Sequence, residues 1–267
     1  MFLNFNIPIC GSSLRRQHEV IDPTGRFLYV SDATSSSLDG FTIDPATGLL
    51  TPIAAVTGYT AFLNAPEGLE VDHQGLYLFA NNSGNASVSS YSINSTTGAL
   101  TPLAPALHTT GSTPLFGTIS SSNNLYIANS GDNTVSAFSI SAGTGALTGL
   151  APSASIPAAF ALINVTVDPT NTYLYVLDSG NATGSVYGFN LAANGIVGSA
   201  IAGTPVASGA GSTGIVIDPS GTLLAVDNNI DDTITPFSVV TTTGTPTEET
   251  PVATGKGPLF VVFYNAP

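Results

Sequence analysis

The sequence predicts an all-β protein folded as a β-propeller of four-stranded blades. Three observations lead to this prediction: a regular repeat, four short apolar segments in each copy, and no convincing helical periodicity. Four strands per repeat fit propeller blades, because a flat stack of such sheets would expose its faces. Equivalent leucines lie 50, 47, 49 and 49 residues apart, at Leu28, Leu78, Leu125, Leu174 and Leu223.

The second copy shows how each blade is built. Its first two apolar segments, residues 68–71 and 76–80, flank a turn with the sequence Asp-His-Gln-Gly. The third segment, Ser87–Ile93, alternates polar and apolar side chains with period two, as a half-buried strand does. A weaker fourth segment spans residues 99–103, after a turn that ends in glycine. The copy therefore predicts four antiparallel strands joined by tight turns.

The other copies keep the turn chemistry and one aromatic residue. The first turn recurs as Asp-Pro-Thr-Gly at residues 22–25, Asp-Pro-Thr-Asn at 168–171 and Asp-Pro-Ser-Gly at 218–221. Proline presets φ at the second position, and glycine or asparagine accepts the positive φ that ends the turn. An aromatic residue of the third strand, expected to fill the core between sheets, recurs as Phe41, Tyr91, Phe138, Phe189 and Phe237. The last hairpin is marked by Gly48, Gly98, Gly145, Gly195 and Gly244.

The copies divide the chain into five complete blades within one propeller domain, residues 15–267. These blades span approximately residues 15–57, 62–108, 111–154, 158–206 and 209–252. A closing first strand is expected at residues 257–264, and residues 1–14 are expected to form a terminal strand or the remnant of a blade. The predicted ring therefore has five blades and a partial sixth, or is a truncated seven-bladed ring. An unpaired terminal strand would also allow an edge-to-edge dimer.

Charge and composition narrow the range of functions. The 267 residues include 17 acidic and 4 basic side chains, and a net charge of −13 argues against nucleic acid or anionic membranes as partners. No apolar run is long enough to span a membrane, and the single cysteine, Cys10, excludes an internal disulfide framework. Only 8% of the residues are charged, and serine, threonine, asparagine and glycine supply the polarity. This composition favours a secreted or cell-envelope location.

The repeated motif resembles that of a known family. Residues 22–32 read Asp-Pro-Thr-Gly-Arg-Phe-Leu-Tyr-Val-Ser-Asp, and residues 47–51 read Thr-Gly-Leu-Leu-Thr. This pattern is similar to the seven-bladed lactonase-type propellers with YVTN repeats, from about Arg16 to Tyr264. The resemblance implies hydrolysis of a sugar-acid lactone such as 6-phosphogluconolactone, or cyclisation of carboxymuconate. The family's Pro-Arg-His pattern reads Arg-Gln-His at residues 16–18, and its Asn-Glu pair reads Asp-Ala at residues 32–33.

Polar residues on the first strands are the candidate catalytic residues, since these strands line the channel of a propeller. Lactone hydrolysis needs a group that activates water and donors that hold the developing oxyanion. We expect His18 to act as the general base and Arg16 to anchor an anionic substrate group. Glu67 or Glu70 would orient the histidine or act in its place. Alternatively, Arg16 is solvated near the terminus, and Glu67 and Glu70 are charges on the channel rim. Other polar residues on these strands are Arg15, Glu19 and Asn164.

No cofactor or metal ion is predicted. Residues 227–232 include Asp227, Asp231 and Asp232, which approach the density of oxygen ligands that calcium requires. Hairpin chemistry repeated in each blade explains such loops more simply. His73 lies in a turn and His108 in a linker between blades, so both are expected on the surface.

Two functions from different classes remain open. The first is a lactone hydrolase that acts on a small-molecule lactone at the mouth of the channel. The second is a non-catalytic extracellular or cell-surface scaffold that binds protein or glycan through its loops. The motifs of serine hydrolases, nucleoside triphosphatases and zinc proteases do not occur in the sequence.

Overall fold

The computed structural model describes residues 18–150, 154–156, 159–180 and 182–263. These residues form five antiparallel sheets in chain order and contain no helix. The first two blades contain β1 (Glu19–Ile21), β2 (Phe27–Asp32), β3 (Ser37–Ile43), β4 (Leu50–Pro52), β5 (Pro66–Val71), β6 (Tyr77–Asn82), β7 (Ser87–Ile93) and β8 (Leu100–Thr109). The remaining three contain β9 (Pro114–Ile119), β10 (Asn124–Asn129), β11 (Thr134–Ile140), β12 (Leu147–Gly149), β13 (Ala154–Ser155), β14 (Leu162–Val167), β15 (Tyr173–Asp178), β16 (Ser185–Leu191), β17 (Val197–Ala200), β18 (Val206–Ala207), β19 (Ser212–Ile217), β20 (Leu223–Asn228), β21 (Thr233–Val240), β22 (Thr245–Glu248) and β23 (Val252–Ala253). The first strands of consecutive blades lie beside one another around a common axis, which confirms the all-β propeller.

The apolar core lies between consecutive blades. Side chains alternate along each second strand, so one set packs against the preceding blade and the other against the following blade. In the second blade Tyr77 and Phe79 pack against the third blade, while Leu78 and Ala80 pack against the first. The core therefore lies between neighbouring sheets, rather than filling a separate interior for each sheet.

The third-strand aromatic residue takes its predicted place in four blades. Tyr91, Phe138, Phe189 and Phe237 are buried in the core between their own blade and the preceding one. Phe41 is only half-buried. The reason is that no described blade precedes the first, so the face that Phe41 occupies is not covered by another sheet.

The repeat alignment needs one correction, in the fifth blade. Leu224, and not Leu223, is equivalent to Leu28, because it is paired with Phe237 as Leu28 is paired with Phe41. Leu224 is fully buried, whereas Leu223 is 37% exposed. The sequence has two adjacent leucines at this point, and only strand register distinguishes them.

The first turns have the conformation that their sequences predict. Gly25, Gly75 and Gly221 have φ values of 71°, 68° and 71°. Asp22 stabilises its turn directly, because its Oδ1 accepts hydrogen bonds at 2.7 Å from the amides of Arg26 and Phe27. The side chain at the first position therefore closes the turn and starts the second strand.

The outer edge of the blades differs from the prediction. In the second blade the fourth segment is the long strand β8, and His108 pairs with Val88 instead of lying in a linker. Pro102 and Pro105 do not interrupt this strand, since an edge strand can lack amides on its outer side. In the third, fourth and fifth blades the outer strand is divided in two, and both parts pair with the same third strand.

The predicted closing strand is not found in its described part. Residues 257–263, here called the C-terminal segment, lie outside any strand, because no described strand pairs with their backbone. Three contacts attach the segment to the fifth blade: Gly257 N donates to Asp232 Oδ1, Asn229 Nδ2 to Pro258 O, and Thr213 Oγ1 to Leu259 O. Residues 1–14 lie outside the described residues, and the edge-to-edge dimer stays a prediction. No helix capable of crossing a membrane occurs in the part of the chain that the structure describes.

Candidate functional site

One register position brings a residue from every blade towards the propeller axis. In the first strand of each described blade, one residue pairs with the fourth residue of the second strand. The residue immediately before that one, in the strand or directly ahead of it, is the axial position. The C-terminal segment supplies a further member, because its Pro-Leu-Phe sequence at residues 258–260 repeats Pro-Leu-Phe at residues 114–116. These axial positions are His18, Gly68, Phe116, Asn164, Gly214 and Phe260.

Three of the axial side chains meet near the axis. The His18 ring lies 5.1 Å from the Phe116 ring and 6.1 Å from the Phe260 ring, measured between centroids. Phe116 and Phe260 are 6.2 Å apart, with their rings nearly perpendicular. His18 reaches a ring two blades away because Gly68, on the blade between them, has no side chain. Neither Phe116 nor Phe260 was predicted as a site residue, although the repeated Pro-Leu-Phe signal was present in the sequence.

The His18 ring is held by the neighbouring blade. Its Nδ1 accepts a hydrogen bond from the backbone amide of Leu69 at 3.0 Å. The His18 backbone is fixed as well, because its amide donates to Ser31 Oγ at 3.1 Å and its carbonyl accepts from the Ser31 amide at 2.9 Å. Burial lowers the pKa of His18 to about 4, so the imidazole is neutral at neutral pH.

This geometry changes the role suggested for His18. An amide N–H can only donate, so Nδ1 carries a lone pair and the proton of the neutral ring lies on Nε2. No described residue accepts a hydrogen bond from Nε2. His18 therefore presents an N–H donor beside two aromatic rings, rather than the free lone pair that a general base requires.

Glu70 lies in a different environment from the predicted one. It is buried between the second and third blades, where Oε1 accepts hydrogen bonds from Asn81 Nδ2 at 3.2 Å and from the amide of Gly117. Burial raises the pKa of Glu70 to about 8, although these two hydrogen bonds lower it, so the carboxyl is largely protonated at neutral pH. Glu70 is therefore not a charge on the channel rim, and a catalytic role for its carboxyl stays a prediction.

The other predicted site residues lie partly near the propeller axis and partly on the surface. Glu67 is half-buried on β5, and its carbonyl accepts a hydrogen bond from Ser31 Oγ at 2.8 Å, which brings it close to the His18 backbone. Asn164 is half-buried at the axial position, and its Oδ1 accepts from the amide of Val165. Glu19 is exposed, while Arg15 and Arg16 lie outside the described residues.

The aspartates of the fifth blade do not converge on one point. Asp231 Oδ2 accepts from the Ala210 amide, and Asp232 Oδ1 accepts from the Gly257 amide. Asp227 is buried and bonded to the Thr213 hydroxyl. Among the described residues, no three His, Cys, Asp or Glu side chains are grouped so as to hold a metal ion.

Comparison with known proteins identifies the family. A family model described as "Lactonase, 7-bladed beta-propeller" matches residues 19–115 and 117–263. The chain belongs to this lactonase family. Comparison with curated protein sequences gave no significant match.

Solved structures share the lactonase-family fold at low sequence identity. A candidate 6-phosphogluconolactonase from Bacteroides fragilis has a TM-score of 0.79 at 19% identity, over 92% of this chain and 72% of that one. The periplasmic gluconolactonase of Pseudomonas aeruginosa has a TM-score of 0.74 at 20% identity, over 90% of this chain and 70% of that one. A catalytically inactive virginiamycin B lyase from Staphylococcus aureus, solved with quinupristin, has a TM-score of 0.54 at 16% identity, over 86% and 68%. These likenesses concern the fold, so the reaction of this chain must be argued from its own residues.

Proposed function

We propose that this lactonase-family propeller hydrolyses a small sugar-acid lactone, such as gluconolactone or 6-phosphogluconolactone, beside His18. The observation that carries the proposal is the hydrogen bond from the Leu69 amide to His18 Nδ1, which leaves an oriented Nε2–H donor near the propeller axis. The family match supports a lactone as the substrate class.

The proposed reaction needs His18 as a hydrogen-bond donor rather than as a general base. Water adds to the lactone carbonyl, the ring C–O bond then breaks, and the proton that water loses ends on the former ring oxygen as a hydroxyl group. Negative charge develops on the carbonyl oxygen in the first step, and a fixed N–H group stabilises that charge. His18 Nε2–H would supply this donor without reorganisation, because the Leu69 amide already fixes the ring.

The remaining roles are assigned to Glu67 and Arg16. Glu67 is the predicted carboxylate that is neither fully buried nor exposed, and we propose that it activates the attacking water. Arg16 precedes His18 by two residues, and we propose that it anchors a carboxylate or phosphate of the substrate. The cationic side chains within the described residues are Arg26 and Lys256. Arg26 lies over the Phe27 ring at the far end of β1, so it does not compete for this role.

The proposal is tested by hydrolysis of gluconolactone and 6-phosphogluconolactone, each corrected for the spontaneous rate. We expect kcat/KM to fall by about 100-fold or more in His18→Phe, which keeps the ring contacts but removes the donor. His18→Gln retains an N–H donor on a side chain of similar reach and should recover part of the rate. Arg16→Gln should lower kcat/KM more for the phosphorylated substrate than for gluconolactone.

Two outcomes would contradict the proposal. Folded wild-type protein with no rate above the spontaneous one would exclude these lactones as substrates. Equal activity in wild type and His18→Phe would place any activity elsewhere in the molecule. Matched far-ultraviolet circular dichroism spectra would show that the variants are folded.

A second candidate function is binding of protein or glycan through the loops. It is favoured by three large apolar side chains that are exposed in loops: Phe62 at 50%, Phe160 at 63% and Ile230 at 73%. Phe62 has a φ of 62°, which is uncommon for a bulky residue and is often associated with function. We also propose a secreted or cell-envelope location, supported by the low charge content, and cell fractionation would test it.

A further inference from the structure

A hydrogen bond joins the first blade to the second, and the second to the third, near the axis. In both cases the fifth residue of the second strand donates it to the carbonyl that precedes the axial position of the next blade. The third and fourth blades have Ala128 and Leu177 at this place, which carry no side-chain donor. Ser31 Oγ donates to Glu67 O at 2.8 Å, and Asn81 Nδ2 donates to Leu115 O at 2.9 Å. The link therefore depends on a hydrogen atom carried by the fifth residue.

The fifth blade has a carboxyl group at this position. Asp227 is the fifth residue of β20, it is fully buried, and its Oδ2 is hydrogen bonded to Thr213 Oγ1. Thr213 Oγ1 also lies 2.9 Å from Leu259 O. Leu259 is the counterpart of Leu115, since both precede a phenylalanine at the axial position. The C-terminal segment is thus attached at the same point as a following first strand, but through a hydroxyl group.

The number of hydrogens decides which form of Asp227 lets Thr213 bond Leu259 O as well. The Thr213 hydroxyl has one hydrogen and lies between two oxygen atoms. An ionised Asp227 would take that hydrogen and leave Leu259 O, which belongs to a 57% exposed residue, to water. A protonated Asp227 donates to Thr213 Oγ1, which then donates to Leu259 O, and both contacts are satisfied. The protonated carboxyl restores the donor that serine and asparagine supply in the first two blades.

The surroundings of Asp227 favour its neutral form. Burial raises the pKa of Asp227, and the hydrogen bond with Thr213 opposes this rise without cancelling it. Oδ1 is buried without a hydrogen-bond partner among the described residues. The backbone amides of Gly214 and of Asp227 itself also face the carboxyl and favour its ionised form, but the effect of burial on the pKa is larger; no charged side chain of a described residue is among these groups. A Cβ atom at Gly214 would lie 2.4 Å from Oδ1, so the chain approaches this carboxyl closely.

We propose that Asp227 and Thr213 form a proton-dependent link that holds the C-terminal segment, and with it Phe260, against His18. Phe260 follows Leu259 directly and is 54% exposed, so the link is one of few contacts that position its ring. When Asp227 loses its proton, Thr213 turns to the carboxylate and Leu259 O loses its donor. Asp227 is therefore a positioning residue for the axial site, and this inference does not depend on whether the protein hydrolyses lactones.

The test is chymotryptic cleavage after Phe260, measured by mass spectrometry between about pH 5 and pH 9 without any lactone. Protection is the cleavage rate of the unfolded chain divided by that of the folded protein at the same pH. We expect wild-type protection of this segment to fall by about tenfold or more as the pH rises, the equivalent of one pKa unit of differential interaction. In Asp227→Asn the protection should not change with pH, because an amide can donate at any pH as Asn81 does.

A matched pair at Thr213 tests the link without changing the carboxyl. Thr213→Ser keeps the hydroxyl and should show the wild-type profile, whereas Thr213→Val should show low protection at every pH. Glu70→Gln serves as a control, because it removes the other carboxyl whose pKa is raised by burial and should leave the pH profile of the C-terminal segment unchanged.

A wild-type profile that does not change with pH would overturn the inference. So would an Asp227→Asn variant that loses protection in parallel with wild type. If Asp227→Asn does not fold, equal protection in Thr213→Ser and Thr213→Val would be the contradicting result.

Discussion

The backbone amide of Leu69 donates a hydrogen bond to His18 Nδ1 at 3.0 Å, and this bond joins the first blade to the second near the propeller axis. It also selects the tautomer with its proton on Nε2. A proton added to Nδ1 would break the bond and place a charge between the Phe116 and Phe260 rings. The same contact therefore positions the ring and disfavours its charged form.

We predict that His18 titrates with a pKa of about 4, below its ordinary value of 6.5. Between these values the unfolded chain binds more protons than the folded protein, so the free energy of unfolding decreases as the pH falls from 6.5 towards 4. Nitrogen-15 NMR of labelled histidine would show Nε2 protonated and Nδ1 unprotonated through the neutral range. A pKa near 6.5, or the opposite tautomer, would contradict the assignment of His18 as a donor.

The buried carboxyl of Glu70 should make the stability of the protein depend on pH in the opposite direction. Burial raises the pKa of Glu70 from 4.5 to about 8, so the folded protein binds the extra proton and stability is lost as the pH rises through this range. Glu70→Gln imitates the protonated group and should reduce this loss, on the order of a few kcal/mol, in urea unfolding at pH 5 and pH 9. Asp227, whose pKa is also raised, should leave a remaining dependence of the free energy of unfolding on pH with the same sign. An unchanged slope in Glu70→Gln would show that Glu70 does not hold the extra proton.

Gly68 is required where the second and third blades approach each other. A Cβ atom there would lie 2.4 Å from Leu115 O and 2.7 Å from Asn81 Nδ2. Gly68→Ala should therefore lower the free energy of unfolding by about 1–3 kcal/mol, as overpacking of a close contact does. Gly143→Ala is the matched control, because no heavy atom lies within 4 Å of its added Cβ. Equal stability of the two variants in denaturant unfolding would show that the blades can separate without cost at this point.

The repeat predicted most of the fold because each blade encodes its turns and alternation locally. Ser87–Ile93 was predicted with its observed bounds, since alternation and the flanking turns fix both ends. The two adjacent leucines of the fifth blade could not be distinguished without the strand register, and Leu224 is the buried one. His108 was misplaced because the fourth segment was predicted to end at residue 103, whereas the strand continues to Thr109.

The candidate site was harder to predict than the fold. His18 was found through the resemblance, but its role depends on the Leu69 amide, a backbone group from another blade that no side-chain motif reveals. Glu70 looked like a channel charge because its strand lines the axis, yet its side chain points between blades. Phe260 was interpreted as part of a closing strand, and its contact with His18 depends on how the chain returns to the axis.

A buried tyrosine on the second strand of one blade bonds the last hairpin of the next blade, and its removal should weaken the contact between the two blades. Tyr126 in the third blade donates from its hydroxyl to Gly195 O in the fourth at 2.8 Å, and Tyr175 donates in the same way to Gly244 O at 2.7 Å. Tyr126→Phe would leave a buried carbonyl without its donor, so we expect a loss of about 1–2 kcal/mol in denaturant unfolding. Tyr187→Phe is the control, because the Tyr187 hydroxyl makes no hydrogen bond to the described residues, and its change should stay within about 0.5 kcal/mol. The second blade already has Phe79 at this position, which shows that a blade can pack without the link. If Tyr126→Phe proves as stable as the Tyr187→Phe control, apolar packing alone holds these blades together.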